Sequence, residues 1–289
     1  MASDPDRHRL APEQHRAIYA DRIAPRLFRT ASPVETPTAV VLGGQPGAGK
    51  SAMIAQAAQD FREAGGIVRI IGDNLRSFHP GYEELQRRDD RTAAFFTDRD
   101  SGQWIELAIA DAARRRCNVV VEGTMRVPDK VAETLALFRS NGYATDARAL
   151  AVSPELSALG ILQRFVAQKE DRGFGRMTSK QAHNAALAGM LDTLDRIQDE
   201  RLADRLTIYR RGNEALHSIA LGDPAQPGEP RARAIVEAER ARPLARQEAD
   251  YVRAEMQRLA PALRRFGILS EAAVQREQPA PRRGADRER

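Results

Sequence analysis

An α/β fold, with a mostly parallel central sheet layered between helices, is what this sequence predicts. From Ala39 onward, short apolar runs alternate with longer stretches of helical periodicity. That alternation implies strands joined by right-handed crossovers. The first apolar run ends in a glycine-rich turn that opens straight into a helix. Polar clusters follow the next runs, where parallel sheets carry their ligands beyond the carboxyl ends of the strands.

The elements read as follows. Between Leu10 and Phe28, Ile18, Ile23, Leu27 and Phe28 fall at helical spacing, so one or two helices are expected, ended before Pro33. Ala39 to Leu42 is a buried strand, and Ser51 to Ala64 a helix closed by Gly65-Gly66. Ile67 to Ile71 is a second strand, and Tyr82 to Arg88 and Gln103 to Arg116 are helical. A third strand spans Asn118 to Val121, followed by a helix from Pro128 to Ser140 that Asn141-Gly142 stops. Tyr143 to Val152 is a fourth strand, Leu156 to Asp171 and Ser179 to Gln198 are helices, and Leu206 to Tyr209 and Ser218 to Ala220 are short strands. Gly222 to Pro230 is rich in Pro and Gly and reads as a linker. Ala232 to Leu263 is a charged helical segment interrupted near Pro243, with Val252, Met256, Leu259 and Leu263 as a thin apolar stripe. The expected organisation is an N-terminal helical extension (1–36), a core (37–221), a linker (222–231), a C-terminal helical segment (232–270) and a disordered Arg/Glu/Pro/Ala tail (271–289).

Composition narrows the function classes. The chain of 289 residues carries 45 Lys and Arg against 40 Asp and Glu. These charges are interleaved rather than blocked, which does not support nucleic acid as the main partner. Cys117 is the sole cysteine, so no internal disulfide forms, in keeping with a reducing compartment. The segment before Ala39 is charged and broken by Pro5, Pro12, Pro25, Pro33 and Pro37. It has no apolar signal region, and no run approaches the length of a membrane span. A cytoplasmic protein without membrane contact is expected.

Gly44-Gln45-Pro46-Gly47-Ala48-Gly49-Lys50-Ser51 matches the phosphate-binding loop between a strand and a helix. Its glycines let successive N–H groups curl inward, and together with the helix N-terminus they cradle polyphosphate oxygens. Lys50 then reaches the β- and γ-phosphates of ATP, and the Ser51 hydroxyl ligates Mg²⁺. The fold class sharpens to a three-layer P-loop NTPase of kinase-like type with N- and C-terminal helical extensions.

Other strand ends supply the acceptor side. Gly72-Asp73-Asn74-Leu75-Arg76, then His79-Pro80, follow the second strand. Asp73 faces the transferred phosphate there, and a carboxylate can take the proton of an attacking hydroxyl. It reads equally well as the N-cap of a short helix. His79 is expected to be a turn or core-edge residue. Glu122-Gly123-Thr124-Met125-Arg126 follows the third strand. Glu122 there supports the Mg²⁺ shell through water, and Thr124 and Arg126 project toward a second substrate. The alternative is a turn with a surface arginine. Arg164, Arg172 and Arg176 surround Gly173 and Gly175, which suits a mobile lid bearing cations, or a solvated loop.

Taken together, these motifs resemble the zeta toxin family, the P-loop kinase toxins of bacterial toxin–antitoxin systems. The likeness runs from about Thr38 to Ala220 and is carried by the phosphate loop, by Gly72 to Arg76 with His79-Pro80, by Val121 to Arg126, and by Arg176-Met177-Thr178-Ser179-Lys180-Gln181-Ala182-His183. It implies an ATP-dependent kinase acting on the 3′-hydroxyl of the sugar of UDP-N-acetylglucosamine, with a protein antitoxin as partner. It implies that Lys50 and Ser51 bind ATP phosphates and Mg²⁺, and that Asp73 is the general base. Glu106, Glu122, Thr124 and Arg126 hold the sugar nucleotide or support the metal, and Arg164 and Arg176 clamp the phosphates. The sequence departs from the pattern at Ile71, where some members carry an acid, and at the Met125 and Val127 flanks, where small or polar residues are expected. Two other readings stay open: a P-loop kinase for another small hydroxylated metabolite or antibiotic, and a non-catalytic nucleotide-binding module. The segment after Gly222 lies outside the likeness and reads as a docking helix, an autoinhibitory element or a stand-in for part of an antitoxin.

Overall fold

The computed structural model describes residues 4, 6–90, 92–222 and 228–269, so half of the predicted linker and all of the predicted tail lie outside the described residues. The chain divides into two compact units, one ending at Pro243 and the other beginning at Leu244.

The first unit is built on a six-stranded sheet. Its strands are β1 (Thr38–Gly43), β2 (Val68–Ile71), β3 (Val119–Glu122), β4 (Ala144–Ala151), β5 (Arg205–Arg210) and β6 (Glu214–Ala220), in the order β2-β3-β1-β4-β5-β6. The first five run parallel, and β6 returns antiparallel to β5. β1 lies between β3 and β4, with Val41 beside Val121 on one side and Ala147 on the other. Its strand neighbours leave in opposite directions, so the crevice beyond its carboxyl end is a topological switch point.

Helices cover both faces. The N-terminal segment forms α1 (Pro12–Ile18), a wide π turn (Tyr19–Ile23) and α2 (Ala24–Leu27). Pro25 has no N–H to offer the preceding turn, and the helix widens there. Next come α3 (Lys50–Asp60), α4 (Gly72–Arg76), α5 (Tyr82–Arg88), α6 (Ala93–Arg115), α7 (Pro128–Ser140), α8 (Pro154–Arg172), α9 (Lys180–Asp199) and α10 (Ala232–Ala241). On one face, Trp104, Ala108 and Ala112 of α6 pack with Val68, Ile70 and Val119. On the other, Leu135, Met190, Leu194, Ala232 and Val236 pack with Val41, Leu206 and Ile208. Helix α10 is therefore part of the first unit's core. The second unit contains α11 (Arg246–Arg265), which runs through Pro261 unbroken and opens with the Glu248 carboxylate accepting the Ala245 N–H at 2.8 Å. The expected break near Pro243 is present, since α10 ends at Ala241 and α11 starts at Arg246.

Helix α6 begins at Ala93, well before the expected Gln103. Its early turns bury Thr97, Asp100 and Ser101, which breaks the apolar period. Those polar groups have partners: Arg76 donates to Thr97 Oγ1 at 3.3 Å, and Leu10 N–H to Asp100 Oδ2 at 3.3 Å.

Candidate active site

The phosphate loop joins β1 to α3, and Gly47 and Gly49 take φ of 80° and 96°, values a side chain resists. Space also demands glycine at Gly47, where a Cβ would stand 1.9 Å from the Ser157 carbonyl oxygen. Gly160 is its counterpart on α8, because a Cβ there would stand 2.2 Å from the Gly47 oxygen. Helix α8 thus seats the loop from outside, and Gln45 anchors it from inside. Gln45 is fully buried and donates from Nε2 to the Val152 carbonyl at 2.7 Å.

Lys50 Nζ donates to Gly44 O at 2.6 Å and Gln45 O at 3.3 Å, and pairs with Glu122 Oε1 at 3.1 Å. Burial pushes the Lys50 ammonium below its ordinary value, while Glu122 opposes that fall. Asp73 sits in α4, but Ile71 holds the N-cap position and no side chain caps the helix. The capping role is therefore overturned. The carboxylate instead faces Arg176, with Arg164 at 3.6 Å and Arg76 at 3.8 Å. Burial lowers the affinity of both Arg164 and Arg176 for their protons, yet arginine stays charged at neutral pH. Arg164 Nη2 also donates to Thr178 Oγ1 at 3.0 Å.

Two cavities open here. One, of about 480 Å³, is lined by the loop from Gly47 to Ser51, with Gln163 and Arg211 at its far side. The other, of about 550 Å³, is lined by Thr124, Arg126, Arg176, Arg76, Phe95 and Asp98 among others. Both are lined by Lys50, Asp73, Glu122 and Arg164. Most of the predicted site is thus brought together. Glu106 is not: it pairs with Lys130 at 3.1 Å and lines a separate cavity beside Arg9 and His15, while its neighbour Ile105 lines the second of the two cavities. Arg172 is exposed beside Asp171 at 3.5 Å, away from both cavities. His79 is structural: its Nε2 donates to the His8 carbonyl at 3.0 Å and its Nδ1 accepts the Gly81 N–H at 3.1 Å.

Sequence reasoning missed several supports. Met125 adopts φ of 51° and lies under Gly43, where a Cβ would stand 2.3 Å from its sulfur. That close fit explains why a large residue stands at this unexpected flank. The segment after Gly173 is held by Asp90, which accepts the Gly175 N–H at 3.1 Å and pairs with Lys169 at 2.6 Å. Gln168 accepts the Arg176 N–H at 2.8 Å. Such long-range partners leave no local pattern in sequence.

The residues present fit ATP and Mg²⁺. A glycine cradle at a helix N-terminus suits polyphosphate. Among the described residues no cluster of His, Cys, Asp and Glu forms a ready metal cage. A hydroxyl at Ser51 with one nearby carboxylate suits magnesium, which takes the rest of its shell from phosphate and water. No helix among the described residues is long and apolar enough to cross a membrane.

The parallel sheet, the loop and the paired cavities define a kinase-like P-loop α/β protein. The sequence profile of the Zeta toxin family matches residues 21–221, and the chain belongs to that family. It is 31% identical over 182 residues to toxin PezT of Streptococcus pneumoniae serotype 4, covering 63% of this chain and 71% of that protein. It is 28% identical over 206 residues to toxin zeta of Enterococcus hirae, covering 70% and 71% respectively. Among solved structures, one of the PezAT chromosomal toxin–antitoxin system of Streptococcus pneumoniae matches with a TM-score of 0.74 at 23% identity, over 91% of this chain and all of that one. The complex of AvrRxo1-ORF1 and AvrRxo1-ORF2 with ATP matches with a TM-score of 0.51 at 14% identity, over 88% of this chain and 83% of that one.

Proposed function

We propose that this chain is an ATP- and Mg²⁺-dependent kinase that phosphorylates the 3′-hydroxyl of the sugar of UDP-N-acetylglucosamine, and that it acts as the toxin of a toxin–antitoxin pair. The observation that carries the kinase reading is the meeting of two cavities at Lys50, Asp73, Glu122 and Arg164. A nucleotide switch needs one cavity; transfer between two substrates needs a pair with charge at the junction. The sugar nucleotide rests on the family likeness, and a solved neighbour described with ATP supports the donor.

Residues Gly44 to Ser51 would hold the donor's phosphates, and Ser51 with Glu122, through water, would hold Mg²⁺, which neutralises charge on the transferring group. Lys50 exchanges its loop carbonyls for phosphate oxygens. Arg164 and Arg176 turn from Asp73 to the phosphates, which frees the Asp73 carboxylate to take the hydroxyl proton. Thr124 and Arg126 orient the acceptor from the other cavity. The relatives' toxin–antitoxin complexes support a protein partner that silences the chain.

Mass spectrometry of the chain with ATP, Mg²⁺ and UDP-N-acetylglucosamine tests this directly. A phosphorylated sugar nucleotide is expected. ATP consumed only on another small hydroxylated acceptor would move the substrate assignment, and no turnover with any acceptor would leave a nucleotide-binding module. Induced expression is expected to halt bacterial growth unless the cognate antitoxin is co-expressed.

A further inference from the structure

Helix α10 lies beyond the residues 21–221 that the family profile matches, yet its last turn reaches the phosphate loop. Arg240 Nη2 donates to Gln45 Oε1 at 3.3 Å, and Nη1 donates to the Leu187 carbonyl of α9 at 2.8 Å. Gln45 is fully buried, and its other amide atom is already committed to Val152 O. The two bonds together set which way its carboxamide faces: nitrogen to β4's end, oxygen to α10.

Arg240 differs from its neighbours on the same helix. Arg233 is paired with Asp192 and Asp195, and Glu239 with Arg210 and Arg242. Among the described residues no carboxylate comes within ion-pairing distance of Arg240, and its Nε is buried without a hydrogen-bond partner. Burial lowers its proton affinity to about 10, so it remains a cation at neutral pH. Glu237 offsets part of that loss from beyond ion-pairing distance, and a largely desolvated cation with no direct ion pair is costly. A strut between α9 and α10 would need only the Leu187 bond. The fork toward Gln45 adds a contact to the phosphate loop.

We infer that Arg240 is a positioning residue for nucleotide binding, clamping the phosphate loop from behind through the Gln45 carboxamide and making α10 part of the nucleotide site. The inference rests on the nucleotide-binding half of the proposed function and is independent of the acceptor's identity.

Calorimetric titration of the full chain with MgATP tests it. R240M, which keeps the stem and loses the fork, is expected to raise the dissociation constant about tenfold, with the loss in ATP hydrolysis falling on KM rather than kcat. Q45M, which also loses the Val152 bond, should weaken binding at least as much, and R240M/Q45M no further than Q45M, because both single variants remove the Arg240–Gln45 contact. R240M within about twofold of wild type, or an additive double variant, overturns the inference. If R240M lacks a cooperative melt, R240K carries the test: it keeps charge but cannot span Gln45 and Leu187, so an affinity loss of about threefold supports the clamp and an unchanged one overturns it. No MgATP binding by the wild-type chain overturns both this inference and the kinase reading, whereas wild-type binding with unmoved variants overturns this inference alone.

Discussion

On the proposed reading Asp73 is the acid on which transfer turns, and its surroundings set what its loss should do. Arg76, Arg164 and Arg176 all point at its carboxylate. In D73N those guanidiniums lose a competitor for phosphate, so ATP affinity should not fall. Transfer should drop by about 10²–10⁴, the usual worth of a positioned base. Calorimetry beside a transfer assay separates the two; a variant that transfers at full rate ends the base assignment. Glu122 makes a second test. Its charge holds up a Lys50 proton that burial and the neighbouring arginines push off. In E122Q that support is gone while the burial remains, so Lys50 deprotonates at lower pH than in wild type. Since the ammonium binds phosphate, ATP affinity should fade at lower pH in E122Q as pH is raised from neutrality. Coincident pH profiles for the two proteins would count against this role for Glu122. Glu106 shows the limit of residue-by-residue transfer from a family: a helical residue lies about 100° from its neighbour, and here Ile105 rather than Glu106 takes the cleft-facing position.

Loops and helices explain which parts could be read in advance. The phosphate loop is local, with glycines, lysine and serine consecutive in sequence, so its strand and helix were legible together. The β-strands were legible because parallel strands are buried on both faces and read as apolar runs. The start of α6 was not, because it buries polar Thr97, Asp100 and Ser101, and Thr97 and Asp100 are met by Arg76 and Leu10 from distant parts of the chain. The tether of the Gly173–Arg176 segment to Asp90 was hidden for the same reason, being formed across 85 positions of sequence. In D90A the Gly175 N–H and Lys169 both lose this buried carboxylate. The cost should be about 1–3 kcal/mol of stability by denaturant unfolding, with faster proteolysis after Arg172. The close approach of α8 to the loop predicts a sharper defect. G160A puts a methyl where the Gly47 carbonyl stands, so ATP affinity should fall at least about tenfold even in folded protein. ATP binding by G160A as tight as wild type would show that α8 does not constrain the loop.

The C-terminal region is where sequence left the most alternatives, and the division of the chain into units separates them. Helix α10 contributes fully buried Ala232 and Val236 to the same core as β5 and α9, and Arg231 and Arg233 pair with Asp192, Asp195 and Asp199. A helix so integrated is poorly suited to act as a removable brake. A chain ending at Gly222 exposes that core, and losing one buried valine's worth of apolar surface alone costs about 1.5–3 kcal/mol. Its melting temperature should fall by about 3–12 °C, at roughly 2–4 °C per kcal/mol for a domain of this size. Its toxicity on induced expression should fall too, because the loop loses Arg240. A chain ending at Pro243 keeps the first unit whole, with Arg240 and its partners, and should bind MgATP and arrest growth. If the chain ending at Gly222 were instead more toxic than the full chain at equal abundance, α10 would be inhibitory, and its burial against β5 and α9 would have to be broken when the enzyme works. The pair of truncations therefore distinguishes a structural wall of the nucleotide site from a cis-acting antitoxin surrogate: the first loses activity with stability, and the second gains activity despite losing stability.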